Sequence, residues 1–149
     1  MNDTIPFAPS DAWLLHAILI AAKSGAATLE DIVACADMIN HSMLTFDEID
    51  GGVARLSGAG LVSCEGKNVQ ITADAAKIYA SVANFSIQKA TEALRERVGI
   101  PKPASPSRPP PRDPHWSSGV FSAADLANAE AAYRGRFAEA LKGPPRHRR

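Results

Sequence analysis

Residues 28–72 read TLEDIVACADMINHSMLTFDEIDGGVARLSGAGLVSCEGKNVQIT, and this run decides the fold. Thr28 is followed three positions on by Asp31, and Thr45 by Glu48. At that spacing each threonine hydroxyl can cap a helix N-terminus while the carboxylate reaches back toward the cap and sits at the positive end of the helix dipole. From the first cap, Leu29, Ile32, Val33, Ala36 and Ile39 recur on one face of a helix that ends near Asn40 or His41. From the second, Phe46, Ile49, Val53 and Leu56 do the same. Gly60 supplies a left-handed stop. A strand over 61–65, a turn at Gly66, Lys67 and Asn68, and a strand over 69–71 follow. Thr72 opens another helix, with Ala75 where an acid would complete the box.

Before this run, AWLLHAILIAA at 12–22 is too short to span a bilayer and carries His16 in its middle. Asp3 and Asp11 precede it and no Lys or Arg does, the reverse of a signal peptide's leader, so a cytoplasmic protein is expected. The segment reads as a core helix over 10–23, capped by Ser10 and apolar nearly all round, hence buried on several sides. Cys35 and Cys64 read as small buried hydrophobes in a reduced compartment. The formal net charge is zero, but residues 1–100 hold 7 Lys plus Arg against 12 Asp plus Glu, net −5, and residues 101–149 hold 9 against 4, net +5. An acidic head and a basic tail are therefore joined in one chain.

After Thr72 the periodicity predicts one long helix over 73–97. Ile78, Val82 and Phe85 form a stripe for the head's own core. Ala80, Ala83, Ile87, Ala90 and Leu94 alternate threes and fours, as a helix–helix seam does, and equally as a helix lying across its own domain does. Residues 101–120 are a proline-rich linker; PKPASPSRPPPRDP at 101–114 can be neither helix nor central strand. Ser122 and Asp125 make a third capping box, and Leu126, Ala129, Tyr133, Phe137 and Leu141 follow on one face of an amphipathic helix within 121–142. Too short to stand alone, that helix must dock, and Trp116, Val120 and Phe121 can extend its contact. Residues 143–149 are expected to be a disordered basic tail.

The run VARLSGAGLVSCEGKNVQIT, together with the helices on either side of it, resembles the winged helix-turn-helix superfamily across roughly residues 1–100. The resemblance implies a mostly α fold: a three-helix core, a two-stranded β wing and a long fourth helix. It also implies DNA binding, with the helix over 45–59 in the major groove and the wing along the phosphates. The charge pattern speaks against this. The expected outward face of that helix shows Asp47, Glu48, Asp50, Gly51, Ala54, Arg55, Ser57 and Gly58, three acids against one base, whereas duplex affinity comes largely from Lys and Arg.

The reading is therefore a non-enzymatic regulatory protein acting on another protein or on its own copy. Its contact residues are Asp47, Glu48, Asp50, Ile87, Leu94, Tyr133 and Phe137, and self-association would run through the first helix and the 73–97 helix. The alternative is a DNA-binding transcriptional regulator using Arg55, Lys67, Arg146, Arg148 and Arg149. No catalytic residue, metal site, cofactor, membrane contact or small-molecule substrate is indicated. Gly51-Gly52 lies inside a helix, where close helix packing is its use. His16 reads as a core histidine with one hydrogen bond. Asp37 and His41, four apart, lack a third ligand for a metal.

Overall fold

A computed structural model describes residues 6–23, 25–102 and 117–142, the side chains of 137 and 140–142 excepted. Among these residues the chain is mostly helical, with six helices and one small antiparallel sheet, in the order α1 (Ser10–Ala21), α2 (Leu29–Asn40), α3 (Phe46–Gly58), β1 (Val62–Glu65), β2 (Asn68–Ile71), α4 (Ala73–Ala80), α5 (Ile87–Val98) and α6 (Ala123–Lys142). Local chemistry places the starts of α2 and α3. Thr28 Oγ1 accepts from Asp31 N and Asp31 Oδ2 from Thr28 N, and Thr45 and Glu48 repeat the exchange, so both capping boxes are complete. His41 ends α2 in the left-handed region at φ 52°, and Gly60 follows α3 at φ 76°.

The expected Ser10 cap is not made. Pro9 holds the N-cap position without a side-chain bond, and Asp11 instead accepts from Ala8 N at 2.9 Å. Helix α1 is the centre of the packing, with Leu14, Leu15, Ile18 and Leu19 buried against α2, α3 and α5. Trp13 Nε1 donates to the Ala36 carbonyl at 2.9 Å, tying α1 to α2. Where α3 crosses α1, a Cβ on Gly52 would overlap Leu14 Cδ2 and stand 3.0 Å from Asp11 Oδ1. Gly52→Ala should therefore lower stability by a net ~1–2 kcal/mol in urea unfolding, because overpacking a fully buried leucine outweighs the gain in helix propensity.

The hairpin pairs Val62 with Ile71 through Glu65 with Asn68. Gly66 takes positive φ in the two-residue turn. Ala27, just before α2, exchanges two backbone hydrogen bonds with Val69 at 2.8 and 2.9 Å, a third short segment on the outer edge of β2. Val62 and Val69 point into the core. Thr72 caps α4 through Ala75 N alone.

The single helix expected over 73–97 is two. After Ala80 the chain turns, Ser81 Oγ donates to Ile78 O, and Ser86 caps a new helix by accepting from Lys89 N. The break lets Val82 enter the core and swings α5 back across α1. The continuous seam is therefore absent. Ala90 and Leu94 are buried in this chain's own core, Ala80 and Ala83 are exposed, and Phe85 and Ile87, at 45% and 42% exposure, lie outside the core. Gly99 at φ 88° ends α5, and Ile100 is buried with its carbonyl accepting from Arg95 Nη1.

His16 joins α1 to α5. The Thr91 hydroxyl donates to the Ile87 carbonyl, so its oxygen accepts from His16 Nδ1–H at 2.6 Å, and the Tyr79 ring packs edge-on at 6.2 Å. Burial pushes the imidazole pKa below its ordinary 6.5. The unfolded chain thus takes up the proton first, and stability should be full above 6.5 and decline as pH falls through and below that value. Urea midpoints compared above and below this value should show the decline in the native chain and a smaller one in His16→Gln.

Candidate protein interface over the second and third helices

The segment 117–142 lies on the head. Helix α6 runs against α2, and the approach to it crosses α3. Its start is local: Ser122 Oγ accepts from Asp125 N at 3.0 Å and Asp125 Oδ2 from Ser122 N at 2.9 Å, the third capping box. The apolar spacing then aims Leu126 and Ala129 inward, where with Phe121 they join the core cluster, and Tyr133 is half-buried on the same side. Burying Phe121 and Leu126 contributes roughly 1.5–3 kcal/mol for each side chain.

Specificity comes from polar contacts around that apolar strip. Asp50 on α3 is 2% exposed. Its Oδ1 accepts from Ser118 N at 3.0 Å and Ser118 Oγ at 2.7 Å, and its Oδ2 from Ser117 Oγ at 2.8 Å. Burial alone would raise this carboxyl's pKa, but the bonds from Ser118, Ser117 and the Gly119 backbone outweigh it and hold the group below the usual aspartate value. On α2, Asp37 Oδ2 accepts from the Tyr133 hydroxyl at 2.6 Å, a bond that pushes the phenol's pKa up. Arg136 approaches Glu30 at 3.4 Å, and Lys67 at the hairpin tip donates to Asp125 at 2.9 Å. Beside residues 117–122, the strap that leads into α6, an open groove of ≈ 430 Å³ is lined by Val53, Ala54, Ser57, Cys64, Ser117, Ser118 and Val120. Burial raises the pKa of the Cys64 thiol, away from the reactive thiolate.

The expected outward face of α3 needs correction at three positions. Asp50 is buried under the strap, and Gly51 is buried. Arg55 turns inward to meet Asp11 as a two-bond fork, Nε to Oδ2 at 2.6 Å and Nη2 to Oδ1 at 2.9 Å, with side-chain exposures of 11% and 0%. The face pointed the wrong way because Asp11, 44 positions upstream, and Ser117 and Ser118, 67 and 68 downstream, are the partners. Asp47 remains exposed, and Glu48 is spent on its capping box. Ile87 is exposed, whereas Leu94 on the inner side of α5 is fully buried and is no surface contact.

The Tyr133 hydroxyl donates to Asp37 on the chain's own α2. The Phe137 side chain, Trp116 and the tail residues Arg146, Arg148 and Arg149 lie outside the described residues. Asp11, Asp37, Ser117 and Ser118 are site residues that periodicity does not find; the one local signal was the serine pair just ahead of a capping box. Among the described residues no group of three or more His, Cys, Asp and Glu side chains could hold a metal, and no helix is long and apolar enough to cross a membrane. Comparison with protein-family models, curated proteins and solved structures found no match to the chain.

Proposed function

We propose that this is a non-enzymatic regulatory protein of winged-helix type that acts by binding protein, and that the face formed by α2, α3 and the hairpin is a receptor for an amphipathic helix. The winged-helix reading is supported by the order of three helices and a hairpin, by the two boxed helix starts, and by the Ala27 segment against β2. One observation carries the protein-binding reading. The helix that would read DNA is covered at Asp50 by a serine pair from the same chain, with α6 seated on the adjacent α2. This face is thus engaged by polypeptide through side-chain-specific bonds.

The nucleic-acid alternative loses Arg55, the one base on α3, which is held by Asp11. Lys67 on the hairpin pairs with Asp125 but keeps 66% of its side chain exposed, a weak surface pair. What remains to the alternative is Lys67 and the tail's Arg146, Arg148 and Arg149. Fluorescence anisotropy of a labelled random duplex, titrated with the full chain at low salt, tests the choice. No saturable micromolar binding is expected. Micromolar binding that weakens steeply with added salt and is lost in Lys67→Ala would overturn the reading in favour of a DNA regulator.

A further inference from the structure

We propose that residues 117–142 close the receptor face in cis and are displaced from it by a basic amphipathic helix of another protein. The proposal rests on the receptor reading above and adds the partner's charge and the regulation of its access. That the face seats a helix is shown by α6 itself, but the head does not depend on this occupant. The large side chains buried most completely, from Leu14 to Ile100, all belong to residues 14–100. Phe121, Leu126 and Ala129 keep 6, 7 and 8% of their surface exposed, and the helix they belong to or lead into packs against α2, while α1 holds α2, α3 and α5 together. A segment seated by so few apolar side chains and a rim of polar bonds opens locally at less cost than the core helices do, because little burial offsets the order it must keep.

Charge selects the displacing partner. Residues 28–71, which hold α2, α3 and the hairpin, count 7 Asp plus Glu against 2 Lys plus Arg, net −5, equal to the whole excess of the head. Residues 117–142 count 3 against 3, net 0, so the seated segment does not answer that excess. Its local contacts have the same character. Asp37 is met by the Tyr133 phenol, and Asp50 by the hydroxyls and a backbone amide of the serine pair, neutral donors to two carboxylates. Arg136 reaches Glu30 at 3.4 Å with 55% of its side chain still exposed. A helix with the same apolar spacing and Lys or Arg along its flanks would fill the seat equally well. It would also add charge-assisted bonds at the rim and attraction toward the whole acidic face.

Three synthetic peptides of residues 117–142 serve as probes. One has the native sequence, net 0; a basic one carries Ala127→Lys, Ala131→Lys and Ala132→Lys, net +3; an acidic one carries Ala127→Glu, Ala131→Glu and Ala132→Glu, net −3, all at exposed positions of α6. Affinities are read by fluorescence anisotropy on the full chain bearing Leu126→Asp, which unseats its own α6. The basic peptide should bind about tenfold more tightly than the native one and the acidic peptide more weakly, with added salt narrowing the range. Displacement is read on the native full chain by hydrogen exchange, in fragments containing Ala127, Ala131 and Ala132, which the substitutions distinguish from the peptide's own. Saturating basic peptide should strip protection from these fragments while the amides of α1, α2 and α3 stay protected. Equal affinities of the three peptides overturn the charge preference, and protection retained in α6 with the peptide bound overturns displacement; either result leaves the receptor reading standing. If the opened chain takes up none of the peptides, the receptor reading falls and this proposal with it.

Discussion

Asp11→Ala should be among the most damaging single substitutions in the chain, with an expected loss of about 3–5 kcal/mol, a large share of an ordinary domain's stability. Asp11 is fully buried, and its two oxygens accept from Arg55 and from Ala8 N, at the point where the start of α1 meets α3. Truncation leaves a guanidinium in a nearly closed site with no anion to answer it, and it removes the tie across two core helices. Replacing both partners by apolar residues, Asp11→Leu with Arg55→Met, should recover much of the loss because no orphan charge remains. Guanidinium unfolding of the two variants measures the difference. A loss below about 1 kcal/mol in Asp11→Ala would mean that Arg55 finds solvent readily. It would then be available to nucleic acid after all.

Leu126→Asp is the second large effect, and it acts on the interface. Leu126 is nearly buried beside Phe121 and Ala129, where α6 meets α2. The substitution forfeits roughly 1.5–3 kcal/mol of apolar burial. It also places a carboxylate in an apolar cluster beside Phe121 and Ala129, which adds a desolvation penalty of its own. Hydrogen exchange should show protection lost across 117–142 while the amides of α1, α2 and α3 stay protected. Early proteolytic cleavage ahead of α6 should accompany that loss. Retained protection in α6 would show that the apolar strip is not what seats the helix, and the receptor reading would lose its energetic basis.

What was legible in the sequence shares one property: its causes lie within a few residues. The boxes at Thr28, Thr45 and Ser122, the Gly60 stop, the hairpin turn and the inward strip of Leu126, Ala129 and Tyr133 are each set by neighbours three or four positions apart. Gly52 was readable as a packing glycine from its place inside a helix, but its partners Leu14 and Asp11 lie far upstream and were not. What failed depended on distant chain. The direction of Asp50 and Arg55 is decided by Ser117, Ser118 and Asp11, and a helical wheel holds no information about them. The long helix over 73–97 was misread because the spacing of Ala80, Ala83, Ile87, Ala90 and Leu94 runs unbroken through a real turn. There the cap at Ser86 and the burial of Val82 outweighed helix propensity. The docking of α6 on its own head was foreseen only as a need, since an apolar strip announces that it must be covered but not by what.

The short pairing of Ala27 with Val69 has a consequence for colloidal behaviour. An isolated hairpin offers unpaired amide and carbonyl groups along its rim, a template on which foreign strands can stack into cross-β aggregates. By taking both backbone groups of Val69, Ala27 seals the middle of that rim with one residue. A proline at position 27 would keep the carbonyl and delete the donor, leaving the rim half open. Concentrated samples should then form thioflavin-positive material sooner than the native chain does.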